Sequence, residues 1–216
     1  MTITKLQPHK NALIEIGIEG ISPLLMHAWT EKAKRMMAMT AAERKIEAGK
    51  LKGIPRDPEA EALASAYYTD SGEYGLPLTA FKGSLINTAH KDEGVEKTVI
   101  RKSVFIPTND SNLCVPISYE KEPYVRTDMV RVGMGSTDMR YRLCFEQWKA
   151  SFTLFVDTAR LSIENVIILA DKAGFSTGVG DWRPQTGGEM GRFRVDTAVP
   201  VRELDPVTFE PLKRQA

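Results

Sequence analysis

Arginine, glycine and aromatic residues occur together at several places in this sequence, and that combination suits the binding of phosphate groups. The densest example, GVGDWRPQTGGEMGRF at residues 178–193, contains five glycines. Arginine forks match phosphate geometry, and aromatic rings stack on nucleic-acid bases. Glycines leave backbone amides open, and we expect these amides to donate to phosphate oxygens. The candidate binding residues are Lys82, Arg131, Arg140, Arg142, Trp182, Arg183, Arg192 and Arg194.

Residue patterns typical of catalysis are missing from the sequence. His27 and His90 follow apolar runs and have no neighbouring His, Cys or Asp at ligand spacing. Cys114 and Cys144 are too far apart, and too few, to indicate a zinc cluster or a disulfide framework. The glycine-rich segment lacks the GK[ST] ending of a P-loop, and it follows a helical pattern where a dinucleotide fingerprint would follow a strand. We therefore expect no catalytic residue, no metal site and no cofactor.

Composition and charge are those of an ordinary globular chain. The 216 residues are 42% hydrophobic and 26% charged, and their net charge is +1. No apolar run approaches 18 residues and no signal peptide is visible, so we expect a cytoplasmic protein without a membrane partner. Residues 31–56 contain eight Lys or Arg and three acidic residues. This local excess indicates either a footprint for a polyanion or a solvated helical face.

Periodicity predicts the elements that must position these residues. The alternation of Ile14, Ile16 and Ile18 with polar residues or glycine is typical of a half-buried strand. Further strands are predicted at 98–106, 113–117, 145–156 and 192–201. Helices are predicted at 30–52, from Asp57 to about Asp70, at 79–90, and after the cap residue Ser162, with Gly174 ending the last one. The order of these elements predicts an α+β fold in which helices pack on a sheet.

Three segments resemble members of the RAMP superfamily, the RRM-like subunits that form the backbone of CRISPR effector complexes. GISPLLM (20–26) resembles the end of their first strand, and YGLPLTAFKGSLINTAHK (74–91) resembles the helix whose lysine, here Lys82, approaches the RNA backbone. TGVGDWRPQTGGEMGRFRV (177–195) resembles their C-terminal glycine-rich loop. The Asp-Trp-Arg-Pro stretch departs from the pattern of that loop. No counterpart of the family's catalytic aspartate follows Ser22, so no nuclease activity is carried over.

The resemblance implies a single domain over residues 1–216. Its fold would be a ferredoxin-like or RRM-like antiparallel sheet with helices on one face. A basic helical insertion would lie at about 30–72, and the glycine-rich loop would lie at 174–192. The segments VRVGMGSTDMRYR (130–142) and AGFSTGVGDWRP (173–184) also resemble segments of proteins encoded in bacteriophage genomes. This resemblance implies that the protein is located in a bacterial or phage-infected cytoplasm.

The residues and the resemblance together favour a non-enzymatic protein that binds single-stranded DNA or RNA. We expect it to contact the phosphate backbone and to self-associate head to tail along the strand. Two alternatives remain open. One is a metal-independent endoribonuclease of the CRISPR RNA-processing type, with His27 or His90 as general acid or base. The other is a phage structural or host-interaction protein.

Overall fold

The chain has a mixed α+β fold in a computed structural model that describes residues 10–51, 53–107, 111–132 and 135–212. The strands are β1 (Asn11–Gly20), β2 (Leu24–Leu25), β3 (Gly75–Pro77), β4 (Val104–Phe105), β5 (Cys114–Tyr119), β6 (Tyr124–Val132), β7 (Ser136–Phe145), β8 (Trp148–Asp157), β9 (Phe193–Val195) and β10 (Arg202–Leu204). The helices are α1 (Glu31–Ala38), α2 (Ala41–Leu51), α3 (Pro58–Ala64), α4 (Leu78–Lys91), α5 (Lys97–Ser103) and α6 (Ile163–Ser176). None of these helices is both long enough and apolar enough to span a bilayer.

The larger sheet has β1 and β8 at its centre. Its order is β10-β1-β8-β5-β3, with β9 paired to β1 and β4 paired to β8, and every pair is antiparallel. The register places Ile16 opposite Phe152, so the apolar residues of both central strands lie on the same face. The predicted strands at 12–19 and 145–156 are confirmed as β1 and β8, although β8 begins only at Trp148.

Helices α4 and α6 cover this apolar face. Phe81 of α4 stacks on Phe152 of β8 with ring centroids 4.0 Å apart, and Val166 and Ala170 of α6 belong to the same buried cluster. Gly174 lies where α6 crosses β9, and a Cβ atom at this position would overlap the carbonyl group of Phe193. The prediction that Gly174 ends the helix is therefore wrong, because this glycine allows the helix to pack closely on a strand and the helix continues to Ser176.

A second sheet, of order β2-β7-β6, stands beside the larger one. Strands β6 and β7 form a long hairpin, and α3 packs against it. The polarity and glycine content of this region left it without a firm assignment from the sequence, apart from a short strand suggested by VRVGM (130–134). Part of the Arg131–Gly135 segment lies outside the described residues, which include Arg131 and Gly135.

Helices α1 and α2, which we call the helical arm (residues 31–51), lie within the segment of about 30–72 where the resemblance implies a basic insertion. Thr40 and Glu43 form the expected capping box at the start of α2, where the Glu43 amide donates to Thr40 Oγ1 over 3.3 Å and the Thr40 amide donates to the Glu43 carboxylate over 2.8 Å. No residue of α1 is buried. The arm therefore extends from the body of the protein.

Other predicted elements differ from the structure. The helix predicted at 30–52 is interrupted between α1 and α2, and only Phe193–Val195 of the strand predicted at 192–201 is a strand, β9. Residues 98–106 were predicted as a strand, but most of them belong to α5 and only Val104–Phe105 is extended. Burial of Ile100 beneath α4 outweighs the strand preference of the Thr-Val-Ile run. The helix predicted from Asp57 to about Asp70 begins as expected, with Asp57 as N-cap, and ends at Ala64.

Candidate functional site

A cleft of about 440 Å³ opens where three separate parts of the chain meet. They are the segment that follows β1, the first turns of α4, and the loop that follows α6. These are the three segments singled out in the sequence. The residues that line the cleft include Leu25, Met26, His27, Tyr67, Pro77, Thr79, Ala80, Gly83, Asp181, Arg183 and Gln185.

The start of α4 forms one wall of the cleft. Pro77 is the N-cap residue and its backbone is extended, and no side chain of the described residues caps the helix. The amide of Leu78 donates to the carbonyl of Leu113 over 2.8 Å, and Thr79 and Ala80, the next two residues, line the cleft. A helix start carries a partial positive charge. This wall therefore favours an anionic group in the cleft.

The glycine-rich loop forms the opposite wall, and its glycines serve the packing of the loop itself. A Cβ atom on Gly180 would overlap the carbonyl of Leu25, and one on Gly191 would overlap the carbonyl of Val179. Both glycines have positive φ angles, +77° and +65°, which favour glycine. The glycine density follows from a compact fold of the loop, which brings its backbone close to other backbone segments.

The amides of this loop are mostly used within the protein. Val179 donates to Gly191, Asp181 to Leu25, and Gly191 to Pro23, over 2.9, 2.9 and 2.7 Å. The expectation that glycine opens these amides to phosphate is therefore wrong for these three positions. Side chains and the start of α4 are the donors left for a ligand in the cleft.

An ion-pair network fixes the loop to the hairpin. The buried guanidinium of Arg142 contacts Asp181 of the loop at 2.6 Å and Asp128 of β6 at 2.7 Å. Burial raises the pKa of both carboxyls, but hydrogen bonds and charge from arginines outweigh it, and the pKa of each lies below its usual value. These arginines are Arg126 and Arg142 for Asp128, and Arg142 for Asp181. Arg142 was predicted as a phosphate ligand. The structure places it in this internal network.

His27 lies on the floor of the cleft and also borders a second groove beside α3. Its Nε2 atom is 2.9 Å from Nη1 of Arg140. Because arginine can only donate, Nε2 accepts and the ring proton belongs to Nδ1. Burial lowers the pKa of His27, and the neighbouring charge of Arg140 lowers it further, whereas Asp181 raises it. The ring is therefore neutral at pH 7.

Two arginines place positive charge in the cleft or next to it. Arg183 lines the cleft, and donates to the carbonyl of Gly180 over 2.9 Å and to Gln185 over 3.0 Å. Arg140 lines the groove beside α3 and contacts His27, which borders both the groove and the cleft. Neither arginine forms a salt bridge with a carboxylate within the described part of the chain. Their charge is therefore available to an anionic ligand.

Trp182 projects from the loop beside the cleft. Its side chain is 41% exposed, and its φ of +52° is in the region that only glycine adopts easily. The guanidinium of Arg126 lies over the indole, 5.4 Å from the ring centroid. An exposed ring held in a strained backbone conformation is available for stacking on a base.

The remaining predicted residues lie outside the cleft lining. Arg192 stacks over Phe175 at 4.4 Å, and Lys82 lies over Phe105 at 4.7 Å, where burial lowers the pKa of its amine. Arg194 is paired with Glu19. Arg131 is exposed near the tip of the β6–β7 hairpin. The structure thus brings Arg183, Arg140 and Trp182 toward one region and separates the other candidates.

Sequence reasoning missed the place of Tyr67 in the cleft, because it treated Tyr67 as part of a helix. It named His27 only as a general acid or base of the alternative endoribonuclease function. Tyr67 follows α3, and its hydroxyl lies 3.5 Å from the backbone carbonyl of His27. No spacing signal could have found them, because the cleft takes its residues from separate segments. No group of three or more His, Cys, Asp or Glu within the described residues is arranged to hold a metal ion.

No protein-family model matches the sequence, and no curated protein matches it at a significant level. The function is therefore argued from the geometry of the cleft.

Proposed function

We propose that the protein binds single-stranded nucleic acid, with a strand passing through the cleft between α4 and the glycine-rich loop. One observation carries the proposal: Arg183 lines the cleft near an uncapped helix start, Arg140 lies in the adjoining groove against His27, and neither arginine forms a salt bridge with a carboxylate among the described residues. Such a cluster attracts an anion, and a phosphate group accepts hydrogen bonds from both kinds of donor.

The shape and lining of the cleft favour an unpaired strand over a duplex. Tyr67 lines the cleft and is partly exposed, so its ring offers a surface that suits a base, whereas Leu25 and Met26 of the lining are buried. In a duplex the bases are stacked and paired, so only a single strand can turn a base toward such a surface. Trp182 adds an exposed ring at the rim. The cleft thus offers contacts for one phosphate group and for a neighbouring base.

The assignment of this α+β fold to the ferredoxin-like class is also part of the proposal. The strands and helices in the order β1, α4, β5, β8, α6, β9 would form a βαββαβ unit, and the spatial order β9-β1-β8-β5 is that of a ferredoxin-like sheet. In this arrangement, the hairpin of β6 and β7 and the helical arm are insertions. Membership of the RAMP superfamily, a phage origin and a cytoplasmic location are parts of the same proposal, and they rest on the sequence resemblance.

An electrophoretic shift assay tests the proposal. Labelled single strands and duplexes of both DNA and RNA are titrated with the protein at constant salt. We expect single strands to shift at lower protein concentration than duplexes of the same length. The absence of a shift with every single strand would refute the proposal. The same result would favour the alternative of a phage structural or host-interaction protein.

The position of His27 supports endoribonuclease activity as a second candidate function. A neutral imidazole beside a strand-binding cleft can act as a general base once Nε2 is released from its hydrogen bond with Arg140. His90, the other candidate, is exposed near the end of α4, away from the cleft lining. Incubation of the protein with labelled RNA without metal tests this function. Cleavage that is lost in His27→Ala and kept in His90→Ala would support it.

A further inference from the structure

The helical arm exposes large apolar side chains although it has no partner in the described chain. Met37 of α1 is 63% exposed and Ile46 of α2 is 61% exposed. Trp29 and Ile54, which flank the arm in sequence, are 63% and 60% exposed. Such side chains on one short segment, among lysines and arginines, are typical of an interaction site.

The charge around these apolar residues is positive. Within the arm, six Lys or Arg residues outnumber three acidic residues. Arg35 and Lys50 contact Glu47, and Lys34 contacts Glu31. Arg44 and Lys45, which adjoin Ile46, are exposed and form no salt bridge with a described residue. The partner of the arm should therefore combine apolar and acidic groups.

The outer face of α6 has this combination. Glu164, Ile168, Asp171 and Phe175 recur at helical spacing, and all four are exposed. Phe175 is 66% exposed, and Ile168 is 46% exposed. Asp92 and Glu93, at the end of α4, border the same groove as Phe175. Glu93 is paired with Lys172, and Arg192 lies over the Phe175 ring, whereas Asp92, Glu164 and Asp171 form no salt bridge with a described residue. We call this surface the acidic stripe of α6.

We propose that the helical arm of one molecule docks on the acidic stripe of α6 of a second copy. Each surface offers exposed apolar groups, and their charges are opposite. The arm spans residues 31–51, which approaches the roughly 20–30 residues that one side of a standard interface contributes. Because the two surfaces differ, the contact is heterologous and can repeat from one copy to the next.

This inference deepens the proposed function by naming a contact for the head-to-tail self-association that the sequence analysis predicts. The contact itself needs no nucleic acid. Its failure in a test without nucleic acid would therefore leave strand binding by the cleft untouched. Conversely, a protein that binds no strand can still self-associate through these surfaces.

Charge reversal on each surface provides the test, read by analytical ultracentrifugation without nucleic acid. One variant combines Arg44→Glu with Lys45→Glu, and the other combines Asp92→Lys with Glu164→Lys. Each variant alone should self-associate about tenfold more weakly or worse, since like charges across an interface repel. Mixing the two should restore association, because each then offers the surface that complements the other. Circular dichroism checks that both variants fold.

A second pair of variants tests the apolar part of the contact. Ile168→Ser should weaken self-association, whereas Val207→Ser, at an 87% exposed position outside both surfaces, should not. The proposal is overturned if the wild-type protein is monomeric, or if the mixed charge variants fail to associate. It is also overturned if reversal on the arm weakens only strand binding, which would make a nucleic acid the partner of the arm.

Discussion

Arg183 and Arg194 illustrate the difference between an arginine that is free to bind a ligand and one that is already neutralised. Arg183 contacts a backbone carbonyl and the uncharged side chain of Gln185. Arg194 donates to the carboxylate of Glu19 over 2.6 Å. Both residues lie in glycine-rich or strand segments that the sequence could not tell apart. The partner of each guanidinium, visible only in the fold, separates them.

Replacing Arg183 should weaken strand binding more than replacing Arg194. We expect Arg183→Ala to cost roughly 1.5–3 kcal/mol of binding free energy, the range for a hydrogen bond to a charged group. Arg194→Ala removes a charge that is already paired at the surface, and it should cost less than about 1 kcal/mol. Fluorescence anisotropy with a labelled single strand measures both. Equal losses in the two variants would mean that only the overall charge matters.

His27 should make the stability of the protein depend on pH. Burial and Arg140 hold its pKa below the ordinary value of 6.5, so the unfolded chain binds a proton more readily than the folded chain. The contribution of neutral His27 to the free energy of unfolding is complete above pH 6.5. It is lost as the pH falls from 6.5 toward the pKa of His27 in the folded protein. Urea unfolding between pH 7.5 and 5.5 should show this loss in the wild type and a smaller one in His27→Gln. An unchanged pH dependence in the variant would contradict the assignment.

At the scale of elements, the glycine-rich loop is a rigid wall of the cleft. Gly187 and Gly191 allow a matched comparison, because both have a positive φ but only Gly191 is packed against backbone. Gly187→Ala should cost about 1–2 kcal/mol of stability for the left-handed conformation. Gly191→Ala should cost a further 1–3 kcal/mol or so, because its Cβ meets the carbonyl of Val179.

Thermal unfolding of the two variants, together with strand affinity, checks this role of the loop. Gly191→Ala should also reduce strand affinity, since it displaces the wall that carries Arg183. Gly187→Ala should bind as the wild type does. If the two variants are destabilised equally, the loop is more open than the structure describes.

The elements that the sequence predicted well are those with strong local signals. The capping residues Thr40, Asp57 and Ser162 each begin a helix, because a side-chain oxygen satisfies amides of the first turn. The β1 strand follows from its alternation. Residues 97–103 were mistaken for a strand because their helical state depends on burial of Ile100 against other elements. The conformational preference of a short segment contains no information about its contacts with residues far away in the sequence.

At the scale of the whole molecule, the sequence predicted which segments form the site better than it predicted the role of each residue in them. The three segments with unusual composition do meet at one cleft. The sequence could not distinguish the residues that are available to a ligand from those that are paired within the protein. Arg142 and Arg183, for example, differ only in which carboxylates the fold brings near them. The hairpin that supplies Asp128 lies between two strands of the larger sheet in the chain. The contact between this hairpin and the glycine-rich loop therefore cannot be inferred from the spacing of residues in the sequence.

Ultraviolet cross-linking of a labelled single strand to the wild-type protein, followed by mass spectrometry of the adducts, tests the central claim most directly. The aromatic residues of the cleft and its rim are Tyr67 and Trp182. We therefore expect the strand to be cross-linked to peptides that contain these residues. The yield should fall in Arg183→Ala and stay unchanged in Arg194→Ala. Adducts confined to the helical arm, or a yield that does not depend on Arg183, would contradict strand binding by the cleft.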